Sequence, residues 1–94
     1  MNNRLKNFIF EFNNLCRKDN RIESWAVYAN EFMRIRIDIN FIDYNNKIYD
    51  YHIEESMDYL IYMDNNELKR YAIYIFDNSQ RSFETKEIIG VDNE

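Results

Sequence analysis

"FMRIRIDINFIDYNNKIYDYHIEES", residues 32–56, is the stretch whose reading decides the fold. In its first half apolar and polar residues alternate with period two. Met33, Ile35, Ile37, Ile39 and Phe41 share one face, and Arg34, Arg36, Asp38 and Asn40 share the other. Such alternation marks a strand with one face in a core and the other in water. Tyr44-Asn45-Asn46 then reads as a three-residue hairpin loop, with an asparagine in the left-handed conformation. In that register Phe41 lies opposite Tyr49, Ile39 opposite Tyr51 and Ile37 opposite Ile53, and all six share the buried face. Arg36 faces Glu54, Asp38 faces His52 and Asn40 faces Asp50 on the wet side. A two-residue turn at Asn45-Asn46 would shift the parity and set Asp50, His52 and Glu54 against buried isoleucines, at a heavy desolvation cost. A three-residue loop, or a five-residue loop of the same parity, is therefore expected.

Working outward, Leu5, Phe8, Ile9, Phe12, Leu15 and Cys16 recur at helical spacing, with Asn2 or Asn3 as a candidate N-cap, and predict an amphipathic helix over residues 3–18. "KDNR" ends it, and "IESWAVYAN" reads as a strand over about 22–29. The hairpin strands are expected at about 32–42 and 47–54. Beyond them, Met57, Leu60 and Ile61 fit a helix over about 56–66 capped by Ser56. Asp64 and Glu67 have the spacing of a capping box for a second helix through Leu68, Tyr71, Ala72, Ile75 and Phe76. Residues 68–76 are equally rich in strand formers and stay open between helix and strand. "DNSQ" reads as a turn and "RSFETKEIIG" as a short final strand or helical turn. The expected fold class is α+β: an N-terminal amphipathic helix packed on an antiparallel sheet of at least three strands, then a mixed helix and strand segment. With 94 residues and 46% hydrophobic content, the whole of 1–94 is expected to form a single domain.

Composition narrows the function classes. No apolar run approaches the roughly 18 residues of a membrane span, and Asn7 and Glu11 interrupt the N-terminal segment where a signal peptide stays apolar. A cytoplasmic protein is expected. Cys16 is the sole cysteine, which leaves no internal disulfide and no cysteine-based zinc site. The net charge of −5 is unevenly spread. Between residues 38 and 67, Asp38, Asp43, Asp50, Glu54, Glu55, Asp58, Asp64 and Glu67 stand against a single Lys47. Such a field repels nucleic acid and attracts basic surfaces.

Each candidate chemistry has a plainer counterpart. His52 beside Asp38 has the parts of a base and its orienter, but no motif supplies a nucleophile, and a cross-strand polar pair explains both. The carboxylates lack the calcium-loop pattern, and one His and one Cys in separate elements do not make a zinc site. Arg34 and Arg36, with Trp25 beside them, would make a small stacking and phosphate-contacting face, but surface salt bridges account for the arginines better. The basic residues Arg4, Lys6, Arg17, Lys18 and Arg21 read as the solvated side of a helix. No catalytic, cofactor or metal residue is assigned. Tyr44, Tyr59, Tyr62 and Tyr74 lack inward places, and tyrosines interleaved with carboxylates make an adhesive surface. The residues expected to meet a partner are Asp43, Tyr44, Asp50, Glu54, Glu55, Asp58, Tyr62 and Asp64.

The "NNRLKNFIFEF" helix, the "RIRIDINFIDYNNKIYDYHI" hairpin and the acidic segment after it, in a short Asn- and Ile-rich chain, resemble in layout the small acidic phage-encoded anti-CRISPR proteins. That resemblance implies a stoichiometric inhibitor rather than an enzyme. It further implies a partner with a basic nucleic-acid-binding surface, such as a Cas nuclease or its RNA complex, no direct DNA binding, and a place in the host bacterial cytoplasm. The alternative is a dimeric accessory or chaperone-like protein that associates through its tyrosines.

Overall fold

The computed structural model describes the backbone of residues 3–93 and the side chains of residues 3–86. An N-terminal helix, a three-stranded antiparallel sheet and C-terminal helices make an α+β fold. Helix α1, Asn3–Arg17, buries Leu5, Phe8, Phe12 and Cys16 along one stripe. Asn2, a candidate cap, lies outside the described residues. Strand β1 is Ile22–Ala29, β2 is Arg34–Ile42 and β3 is Ile48–Ser56, in the order β1-β2-β3.

The hairpin register is the expected one. Phe41 pairs with Tyr49, Ile39 with Tyr51, Ile37 with Ile53, Arg36 with Glu54, Asp38 with His52 and Asn40 with Asp50. The Asp43 amide donates to the Lys47 carbonyl at 3.0 Å and closes the three-residue loop. Asn46 takes the left-handed conformation, with φ of 64°. The Asp43 carboxylate accepts from the amides of Asn45 at 2.8 Å and Lys47 at 3.0 Å, so this side chain builds the loop.

Three expectations need correction. Met33 does not lie on the buried face: β2 begins at Arg34, and Met33 is 61% exposed with φ of 60°. The cause is Asn30, whose side-chain oxygen accepts from the Phe32 and Arg34 amides while its carbonyl accepts from Met33 and closes a turn. The helix expected over 56–66 shrinks to α2, Asp58–Ile61. The Ser56 hydroxyl does accept the Asp58 amide, but Asp64 interrupts the segment by starting the next helix in a reciprocal cap with Glu67. Finally, "DNSQ" is no turn and "RSFETKEIIG" no strand, because both lie within α3, Asn65–Asn93, which also resolves residues 68–76 as helix.

The continuity of α3 follows from its apolar stripe. Leu68, Ala72, Ile75, Phe76, Ser79 and Phe83 keep helical spacing through the polar segment, and all are buried. Asp, Asn and Ser inside a helix cost only a few tenths of a kcal/mol each relative to Ala, much less than burial of Phe83 returns. The Ser79 hydroxyl, fully buried, donates to the Phe76 carbonyl at 2.7 Å and is thereby satisfied.

Helices α1 and α3 pack against each other and cover one sheet face. Phe12 meets Phe76 edge-on at 6.2 Å, Phe8 meets Tyr71 at 5.7 Å, and Phe41 stacks on Phe83 at 4.7 Å. Coverage is centred on β2, whose Ile35, Ile37, Ile39 and Phe41 are buried. Tyr49, Tyr51 and Ile53, on the same face of the edge strand β3, are only half-buried. A polar latch joins the α1–β1 turn to α3: Arg21 bridges Asp19 and Glu84, each at 2.8 Å, and Gln80 donates to Asp19 at 2.9 Å.

Candidate interaction surface

The eight residues expected to meet a partner fall into three groups along β3. Asp43 and Tyr44 sit at the hairpin loop, where Asp43 is occupied by the turn and Tyr44 is 83% exposed. Asp50 and Glu54 lie on the open sheet face. Glu55, Asp58, Tyr62 and Asp64 gather at the far end of the strand, around α2. Nine residues of strand, about 30 Å, separate the first group from the third.

The open sheet face is less acidic than its carboxylates suggest. Arg34 pairs with Glu54 at 2.9 Å, and Arg36 with Asp38 at 3.2 Å. Asp38 also accepts from the Tyr28 hydroxyl at 3.4 Å, and His52 Nδ1 lies 3.9 Å from Asp50. One ligand-type atom from each of Asp38, Asp50 and His52 falls within 4.8 Å of the others. Arg36 already holds Asp38, so the trio reads as the polar surface of a sheet. Trp25 is not beside the arginines. It lies on the helix-covered face, and its indole N–H donates to Asn13 at 2.8 Å. Of the basic N-terminal residues, Arg4 donates to the Met63 carbonyl at 2.9 Å and Arg21 lies over Phe83, so both serve the fold.

The surface around α2 differs in kind. Tyr59 stacks on Tyr71 at 6.2 Å between ring centres. Burial first, then the nearby Glu55 carboxylate and the Tyr59 and Tyr74 hydroxyls, push the Tyr71 phenol up to about 12. The Tyr51 phenol is also raised, by burial and then by Tyr49, Tyr74 and Glu55. Tyr51 and Tyr71 thus lie near Glu55, and Tyr59 lies against Tyr71. Tyr59, Tyr62 and Tyr74 are 57%, 86% and 62% exposed. Among the described residues no arginine or lysine pairs with Glu55 or Asp58. Sequence reasoning named Tyr59 and Tyr74 as lacking inward places but did not join them to Tyr71. The signal was present in the spacing of three between Tyr71 and Tyr74, which puts that pair on one side of a helix.

Chemically, this surface offers flat aromatic area next to unneutralised carboxylates. That combination suits arginine- and lysine-bearing surfaces, through charge pairing and guanidinium stacking on phenol rings. The described part of the molecule contains no helix long and apolar enough to cross a membrane. No family model, curated protein or solved structure matches this chain.

Proposed function

We propose that this chain is a non-enzymatic binding protein that covers a basic, nucleic-acid-handling surface of a partner protein and inhibits it stoichiometrically. A CRISPR effector nuclease or its RNA complex is the partner type that the resemblance implies. The observation that carries this reading is the α2 end of β3, where Glu55, near Tyr51 and Tyr71, and Asp58 have no arginine or lysine partner among the described residues, and where Tyr59, Tyr62 and Tyr74 are exposed. Several other acidic groups are engaged: Asp19, Glu54 and Glu84 by arginines, Asp43 by its loop, Asp64 by its cap. The partner contact is therefore assigned to the α2 end of β3, with Asp50 and Glu54 at its margin.

The test is affinity capture from cells of the encoding organism with three baits: wild type, Asp58→Lys combined with Tyr62→Ala, and Asp50→Lys combined with Glu54→Lys. All these positions are exposed, so the fold should survive, with melting temperatures near wild type. The α2 variant should lose the partner, and the sheet-face variant should retain most of it. Retention by the α2 variant and loss by the sheet-face variant would move the interface to the open face.

A further inference from the structure

We infer that the outer edge of β3 takes an extended basic segment of another protein as an added antiparallel strand, one in which arginine or lysine alternates with apolar residues. The Asp43 amide donates to the Lys47 carbonyl, and the Met57 amide donates to the Met33 carbonyl at 3.0 Å. In an antiparallel ladder these bonds fix the alternation. Tyr49, Tyr51, Ile53 and Glu55 bond to β2, while Ile48, Asp50, His52 and Glu54 turn their backbone N–H and C=O groups to the outer side. Arg34 reaches one of these groups, donating to the Glu54 carbonyl at 3.4 Å. Among the described residues no strand lies on that side. The opposite edge of the sheet, β1, carries a register irregularity between Ile22 and Ser24. Irregularities of that kind deter edge pairing, whereas β3 is regular over its nine residues.

The chemistry of the occupant follows from the neighbour that β3 already has. On the open face β2 offers Arg34, which holds Glu54 at 2.9 Å, and on the helix-covered face it sets Ile37 against Ile53 and Ile39 against Tyr51. A strand on the outer side meets the same two rows of β3 side chains. Its open-face residues lie beside Asp50, His52 and Glu54. Asp50 is exposed, and its charged partner among the described residues is His52, at 3.9 Å. Its helix-side residues lie beside Tyr49, Tyr51 and Ile53, which stay half-buried where Ile35, Ile37 and Ile39 of β2 are buried. Basic side chains complement the first row, and apolar ones finish the burial of the second. A second copy of β3 does not supply this pattern. Ile48–Ser56 contains no lysine or arginine, so two copies would gather carboxylates on one face, and like charges across strands are destabilising. This site is separate from the α2-end contact proposed above and stands or falls without it.

Titration of the isotope-labelled chain with three synthetic peptides, followed through the NMR shifts and exchange rates of its amides, tests the inference. RIRIRIR carries the alternation, RRRRIII has the same residues without it, and EIEIEIE has the opposite charge. RIRIRIR should shift and protect the Asp50, His52 and Glu54 amides, while RRRRIII binds roughly tenfold or more weaker and EIEIEIE does not bind. Proline at 52 removes an outward N–H and leaves the β2 ladder intact, as edge strands permit, so folded His52→Pro should lose RIRIRIR. The wild-type titration decides the matter without that variant. RIRIRIR that leaves the three amides unshifted overturns the inference, and so does RRRRIII binding equally well, which would mean attraction by charge alone. Shifts confined to Asp58 and Tyr62 would place the peptide at α2 and overturn it too. So would a wild type that sediments at twice the chain mass with the three amides protected before peptide is added, since a second copy would then hold the edge.

Discussion

Asn46 and Met33 are the described non-glycine residues with positive φ, and their legibility differs. A chain whose one glycine is Gly90 must turn its hairpins with asparagine, so Asn46 was readable. Met33 was not, because it continues the alternation of Ile35, Ile37 and Ile39, and only the Asn30 side chain, bonding two amides, diverts it. Asn46→Ala should destabilise by about 1–2 kcal/mol, the cost of a Cβ in the left-handed region, while Asn46→Gly stays within a few tenths of wild type; urea unfolding measures both. Asp19 predicts a pH effect. Its carboxyl is lowered from 3.8 to about 2, first by the Arg21 hydrogen bond and also by Gln80. A lowered folded-state value gives stability that is present above the unfolded value and lost as pH falls through the folded one. Asp19→Asn should therefore cost about 1–2 kcal/mol at neutral pH. In urea titrations its deficit should shrink between pH of about 4 and about 2.

At the scale of elements, the hairpin was legible because one period, one parity argument and one loop all require the same register. Helix α1 was legible for a similar reason, its stripe from Leu5 to Cys16 being uninterrupted. The C-terminal half was not, since Asp77, Asn78 and Ser79 have turn propensity, and their helical state depends on tertiary burial of Phe83 against Phe41 and Tyr49. Local composition cannot show that contact. Two substitutions separate helix from turn. Asn78→Pro should cost 3 kcal/mol or more, roughly, as proline does inside a helix, whereas a turn would tolerate it. Phe83→Ala should cost about 3–5 kcal/mol. Thermal melts of both variants, read by circular dichroism, decide the matter, and near-native melting of Asn78→Pro would contradict a continuous α3.

Over the whole molecule, charge counting along residues 38–67 overstated the acidic face, because sequence does not show which carboxylates are already held. Arg34 and Arg36 hold Glu54 and Asp38 on the open sheet face, and Asp43 and Asp64 cap a loop and a helix. What remains at the α2 end is Glu55, near Tyr51 and Tyr71, with the adjoining Asp58. Their grouping depends on α3 running past β3, which is why the exposure of the tyrosines was readable but their assembly was not. A surface of this kind should bind a basic partner with strong dependence on ionic strength, since exposed charge pairs are screened by salt. The most direct measurement is the dissociation constant of the purified complex as a function of salt, for wild type and Asp58→Lys. The account predicts a steep loss of affinity with salt for wild type, and for Asp58→Lys weaker binding with a visibly shallower slope. Wild-type affinity independent of salt, or an Asp58→Lys curve that overlays it, would contradict the claim that these carboxylates meet a basic surface.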